Sequence, residues 1–87
     1  MAIRKRGIIK SIHSEAQKAF CALLIEARNA ADLTQHDVAK KLRTTQSFVA
    51  KYEGGERRLD VVEFLNIARA IGADPIRLLR ALMRQMP

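Results

Sequence analysis

Three residues near the middle of the chain place hydrogen-bonding groups along one side of a short predicted helix, with a small alanine between them. At about 100° of rotation per residue, Gln46, Ser47, Ala50 and Lys51 cover one continuous arc of a helix predicted over residues 46–53. The amide, hydroxyl and ammonium groups can bond to base edges and phosphates, and the small Ala50 lets the helix approach closely. Any amphipathic surface helix also has a polar side, so the arc alone leaves both interpretations open.

The other reactive residue types are too scattered to build a catalytic or metal site. Cys21 is the only cysteine, so no intrachain disulfide can form, and we expect it to be a small buried apolar residue. His13 and His36 have no cysteine or second histidine at ligand spacing and no nearby serine with a matching acid. A chain of 87 residues also has little room for both a core and a deep substrate cleft. We therefore expect no enzymatic activity, no metal and no cofactor.

The charge of the chain favours an anionic partner. Sixteen Lys and Arg against nine Asp and Glu give a net charge of +7, and a surface this basic suits nucleic acid or an acidic surface. Residues 1–58 hold twelve of the cations and six of the anions, so most of the net charge lies in the first two thirds of the chain, which carries the polar arc. Arg4, Lys5 and Arg6 belong to a basic arm, residues 1–13, which is either a phosphate or minor-groove contact or a solvated tail.

The elements that position the arc are short helices marked by capping residues. Helix starts are indicated by Ser14, Thr34, Thr45, Asp60 and Asp74, and stops by Gly54 and Gly72. The helices are predicted over residues 15–31, 35–42, 46–53, 61–71 and 75–84. No stretch alternates as a strand would. The sequence thus predicts an all-α fold, a compact bundle of five short helices, with residues 14–87 as one domain after the arm.

The last helix contributes to a predicted homodimer. Its inner face is predicted to be Ile76, Leu79 and Leu82 or Met83. Further apolar residues remain after the core is filled: Val62, Leu78, Leu82 and Met86 near the end, and Ile8, Ile9, Ile12, Leu23 and Ile25 near the start. Because small domains rarely expose a large apolar patch, we expect a symmetric homodimer through the last two helices. The alternative is that the C-terminal group completes a monomeric core.

Two helices of about eight residues joined by a short turn form a helix-turn-helix pattern. The stretch LTQHDVAKKLRTTQSFVAKYEGGERR, from Leu33 to Arg58, closely resembles the lambda-repressor and Cro-like family, often called the XRE family. Leu-Thr-Gln, the small Ala39, Thr-Gln-Ser before Val49, and Tyr-Glu before the glycine pair fall at the spacing of that family. The resemblance extends over about Phe20–Leu82, most of the chain.

The resemblance implies roles for individual residues. Gln46 would recognise adenine, whose N6 and N7 a glutamine amide can bond together, and Ser47 and Lys51 would make the remaining contacts of the recognition helix. Gln35 would contact a phosphate at a helix N-terminus, where backbone amides favour an anion. The other implied contacts to the DNA backbone are Arg43, Thr45, Arg57 and Arg58.

Three residues depart from the family pattern. Arg43 and Asp32 stand where glycine is common, and a left-handed backbone at Arg43 would cost roughly 1 kcal/mol. Aspartate tolerates that conformation better than most residues. Gly54 stands where arginine is frequent, which removes one phosphate contact.

These features favour a sequence-specific, DNA-binding transcription regulator, a dimeric repressor that binds a pseudo-palindromic operator in double-stranded DNA. Alternatives are an antitoxin that represses its own operon and has a toxin as partner, a restriction-modification controller, or a protein-bridging module built on the same bundle. A membrane role fits poorly because the cations are spread over several short helices, with no apolar run near the ~18 residues of a span. A basic domain without disulfides is expected in the cytoplasm, associated with the nucleoid.

Overall fold

In the computed structural model, residues 14–86 are described and form five helices without a strand. The helices are α1 (Glu15–Ala30), α2 (Gln35–Leu42), α3 (Gln46–Glu53), α4 (Val61–Ile71) and α5 (Pro75–Gln85). The all-α prediction is confirmed, and the predicted ends differ only in that α1 stops one residue earlier and α5 continues one residue further. The proposed arm with Arg4, Lys5 and Arg6, together with Ile8, Ile9 and Ile12, lies outside the described residues.

Each helix begins at the capping residue that the sequence indicates. The side chains of Ser14, Thr34, Thr45, Asp60 and Asp74 each accept a backbone N–H of the following first turn, at 2.7–3.2 Å. At two caps the bond is reciprocated, because Asp37 accepts the N–H of Thr34 and Glu63 accepts that of Asp60. Such caps stabilise a helix by about 1 kcal/mol each, so the boundaries are fixed by local chemistry.

The hydrophobic core fixes the position of α3 against α2. Val38 of α2 and Val49 of α3 are completely buried in the same cluster. Leu24 of α1 and Ile67 of α4 close the cluster from the other side. Since one side of α3 is anchored in this way, its opposite side is left to face solvent.

The predicted inner face of α5 is partly wrong. Ile76, Leu79 and Met83 are 53%, 38% and 62% exposed, whereas Leu78 and Leu82 are half-buried. The cause is that α5 carries apolar residues on two adjacent stripes, and either stripe satisfies helical spacing. Packing against α1 and α4 selects the stripe of Leu78 and Leu82, so the second stripe stays uncovered within the described residues.

Candidate DNA-binding interface

The polar arc of α3 is presented to solvent. Gln46, Ser47, Ala50 and Lys51 are all exposed, while Val49 and Tyr52 are buried on the other side of the helix. The short helix therefore offers an amide, a hydroxyl and an ammonium side by side, with Ala50 as a gap between them. This is the arrangement that the sequence predicts.

Gln35 and Gln46 lie together although they belong to different helices. The Nε2 of Gln46 donates to the Oε1 of Gln35 at 3.4 Å, and the Nε2 of Gln35 donates to the Oε1 of Glu53 at 2.9 Å. The helix-turn-helix geometry thus brings the first residue of α2 next to the first residue of α3. Each glutamine retains an N–H that these two bonds do not use.

A buried ion pair, which the sequence prediction missed, supports this pair of glutamines. Arg28 of α1 donates to Glu53 through Nε at 2.7 Å and through Nη2 at 3.0 Å, and its Nη1 donates to the carbonyl of Leu33 at 2.9 Å. The side chain of Glu53 is only 3% exposed. The hydrogen bonds to Glu53 raise the pKa of Arg28, and the two charges compensate each other in a poorly solvated place.

One sequence signal pointed to Glu53. A helical wheel places it between buried Val49 and exposed Gln46, the position of a carboxylate that is covered on one side. Its partner is 25 residues away on α1, and no local pattern specifies that pairing.

Besides Gln35, four residues are implied to contact the DNA backbone, and three of them are open to solvent. Arg43, Thr45 and Arg58 are exposed. Arg43 has φ 59° and ψ 46°, so the left-handed turn considered for it is present. The Thr45 hydroxyl accepts the N–H of Phe48 and retains its own proton for donation.

The fourth, Arg57, is bound by other residues of the protein, although its side chain is 41% exposed. Its Nη1 donates to Glu63 Oε1 at 3.0 Å and to the carbonyl of Arg58 at 2.8 Å, and its Nη2 donates to Glu63 Oε2 at 2.7 Å. Its Cζ also lies 4.8 Å from the ring centroid of Phe48. The hydrogen bonds with Arg57 lower the pKa of Glu63. A phosphate contact by Arg57 therefore competes with several internal partners.

The remaining reactive groups do not form a second site. Cys21 is buried, its thiol donates to the carbonyl of Tyr52 at 3.3 Å, and burial raises the pKa of the thiol. Across residues 14–86, no three His, Cys, Asp or Glu side chains are grouped so as to hold a metal ion. In the same part of the chain, each helix is too short or too polar to cross a membrane.

Comparison with known proteins agrees with this geometry. Residues 19–84 match the family described as helix-turn-helix domain. The structure is similar to an XRE-family like protein from Pseudomonas syringae pv. tomato str. DC3000, with 48% sequence identity, a TM-score of 0.81, and coverage of 92% of this chain and 98% of that one. No curated protein matches the sequence.

Two more distant structures share the fold. One is the clp gene regulator ClgR from C. glutamicum, with 19% identity, a TM-score of 0.75, and coverage of 86% of this chain and 97% of that one. The other is a point mutant of the restriction-modification controller protein C.Esp1396I, with 18% identity, a TM-score of 0.74, and coverage of 83% of this chain and 91% of that one.

The fold and the exposed helix thus define a helix-turn-helix protein of the DNA-binding regulator class. The chain belongs to the helix-turn-helix domain family, of XRE type.

Proposed function

We propose that this protein is a sequence-specific regulator of transcription that represses by occupying promoter DNA in the cytoplasm. The observation that carries the proposal is the outward arc of α3, whose first residue, Gln46, is joined to Gln35 at the start of α2. A major groove about 12 Å wide admits such a helix. Gln35 would then lie at the phosphates while Gln46 lies at the bases.

The proposed DNA contacts use the donor and acceptor atoms that the hydrogen bonds between the glutamines leave unused. Gln46 keeps its Oε1 and one N–H, the two groups needed to bond adenine at N6 and N7. Ser47 and Lys51 extend the contact along the groove. Gln35 keeps one N–H for a phosphate at the N-terminus of α2, where the helix dipole favours an anion.

Further contacts to the DNA backbone are assigned to exposed groups around α3. Arg43, Thr45 and Arg58 are the candidates in the described residues, and the arm with Arg4, Lys5 and Arg6 is proposed to add phosphate or minor-groove contacts. These contacts give affinity and register but no direct base recognition.

We also propose that the protein binds DNA as a homodimer. The large apolar side chains left exposed are Val61, Val62 and Leu65 on α4, Ile76, Leu79 and Met83 on α5, and Met86, which directly follows α5. Val61, Leu79 and Met86 line one groove of about 300 Å³, which Phe20 of α1 also lines. A symmetric pair built on this surface would place two α3 helices about one DNA turn, roughly 34 Å, apart.

Selection of bound sequences from a random duplex pool, at two salt concentrations, tests the proposal. A palindromic motif with half-sites one turn apart supports a dimeric, sequence-specific regulator. Salt-sensitive binding without any motif contradicts it, since a basic bundle binds phosphates without recognising bases. Copurification of a protein partner without protection of DNA would instead favour a protein-bridging module or, for a toxin partner, an antitoxin.

A further inference from the structure

The guanidinium of Arg57 connects the recognition helix to α4. It forms a two-pronged ion pair with Glu63, with N–O distances of 3.0 and 2.7 Å, and it covers the ring of Phe48 at 4.8 Å. Glu63 is held in turn by the N–H of Asp60 at 3.0 Å. A planar guanidinium is suited to this combination, because it can bond a carboxylate edge-on and stack on an aromatic ring with its face.

The loop after α3 is folded back so that Arg57 is held in this place. The backbone N–H groups of Glu56 and Arg57 both donate to the carbonyl of Lys51, at 2.9 and 3.2 Å. The arginine is therefore fixed against α3 by its main chain and against α4 by its side chain. These contacts occupy Nη1 and one N–H of Nη2, whereas the N–H of Nε takes no part in them.

Phe48 is the side chain of α3 that Arg57 covers. It directly follows Ser47, its ring packs against Tyr52 with centroids 5.5 Å apart, and it lines a cavity of about 170 Å³ together with Glu63 and Ile67. Val49 and Tyr52 anchor α3 in the core, but the half-buried Phe48 has open space beside it. Without Arg57, the ring can move into that space, and the first turn of α3 can rotate with it.

Resting on the proposed function, we propose that Arg57 is a positioning residue for base recognition. It holds Phe48 against α4 and so sets the rotation of α3 about its own axis, which decides where Gln46 and Ser47 meet the bases. This role replaces the phosphate contact that its loop position implies.

Arg57→Lys distinguishes a positioning role from a phosphate contact. Lysine keeps the positive charge but lacks the paired N–H donors and the planar face of the guanidinium. We expect binding to the selected operator to weaken on the order of tenfold, within the range of coupling between neighbouring residues. Binding to random duplex, and the dependence of both affinities on salt, stay unchanged. The contrary result has two parts. Arg57→Lys binds operator and random duplex as the unaltered protein does, and Arg57→Gln weakens binding to both and lowers the salt slope by about one. Arg57 is then a phosphate contact, and the proposal is wrong.

Glu63→Gln should change DNA affinity in opposite directions depending on whether Arg57 positions α3 or contacts a phosphate. Glutamine at this position preserves the cap at Asp60 but releases one prong and the charge of the ion pair. Positioning by Arg57 predicts weaker operator binding with unchanged binding to random duplex. A phosphate role predicts tighter binding to every duplex, because the guanidinium becomes available.

Arg58→Gln serves as the matched control, because Arg58 is the exposed neighbour on the same loop. It should weaken binding to all duplexes alike and lower the salt slope by about one.

All measurements are made well below each variant's melting temperature. An Arg57→Lys protein that melts earlier yet keeps full operator preference would overturn the positioning role. If the unaltered protein prefers no sequence, the proposed function itself fails, independently of Arg57.

Discussion

At the scale of single residues, the amide of Gln46 is already engaged by a hydrogen bond in the absence of DNA. Its Nε2 donates to Gln35, which in turn donates to Glu53, and Glu53 is fixed by Arg28. A buried carboxylate is therefore the end of a chain of hydrogen bonds that leads to the recognition surface. Preorganisation of this kind reduces the side-chain entropy lost on binding.

Gln46→Ala should abolish discrimination at one base pair of each half-site. The expected loss is about 1–3 kcal/mol of preference at that position, with little change at the others. The measurement is equilibrium binding to a set of operators with single base-pair changes. An equal loss on every duplex would show that Gln46 does not recognise a base.

Arg28→Met should destabilise the fold by about 3–5 kcal/mol, because it leaves the buried Glu53 carboxylate without a countercharge. Chemical denaturation measures the change. The double variant Arg28→Met with Glu53→Gln should regain part of the loss, since no buried charge remains. If the single variant is no less stable than the double one, the pair is not coupled in this way.

At the scale of elements, the turn between α2 and α3 loses some stability by placing a cation where glycine would fit best. Arg43 has φ 59°, a left-handed conformation that disfavours side chains with a Cβ. Arg43→Gly should therefore stabilise the domain by about 0.5–1 kcal/mol, and it should weaken binding to all duplexes if the guanidinium contacts a phosphate. Thermal denaturation and duplex binding measure the two effects.

Asp32→Gly is the control for that change, because Asp32 also has a positive φ, 61°. It removes no cation, so it should relieve strain without weakening DNA binding. Arg43→Ala should weaken binding as the glycine variant does but without the gain in stability. A glycine variant that binds DNA with undiminished affinity would remove Arg43 from the interface.

The two reciprocal caps should make stability sensitive to acid. Hydrogen bonds with Thr34 lower the pKa of Asp37, and those with Arg57 and Asp60 lower the pKa of Glu63. Their contributions are full above the ordinary carboxyl pKa values of about 4 and are lost as the pH falls through the lowered ones. Asp37→Asn and Glu63→Gln should each flatten the decline in unfolding free energy below about pH 4. Glu26→Gln, an exposed change outside the caps, serves as the comparison.

The sequence predicts an element well when the interactions that define it join residues close together in the chain. Every helix start was predictable because a cap and its N–H lie within three residues. The polar arc of α3 was predictable because helical rotation alone defines it. The ion pair of Arg28 and Glu53, and the engagement of Arg57 by Glu63, depend on how helices pack, and no local pattern contains that. The buried stripe of α5 was ambiguous for the same reason.

At the scale of the whole molecule, two parts of the bundle expose side chains of different chemical character. The helix-turn-helix end exposes polar and cationic groups, while α4 and α5 expose six large apolar side chains among the described residues, and Met86 after α5 adds a seventh. Stable dimers bury about 800 Å² per partner, and a small domain has few other reasons to leave such a surface open. Dimerisation would also double the phosphate contacts and make binding steeply dependent on protein concentration.

Met83→Asp should separate the protomers, because Met83 belongs to the uncovered stripe of α5 and is 62% exposed. A charge placed there faces its own copy across a symmetric interface, so both repulsion and desolvation oppose assembly. We expect sedimentation to report a monomer with helix content unchanged, and operator affinity to fall to that of a single half-site. Ala22→Asp, on the exposed side of α1, is the matched control and should stay dimeric. A Met83→Asp protein that sediments as the unaltered protein does would place the dimer contact elsewhere, and a monomer with full operator affinity would show that one domain suffices to bind.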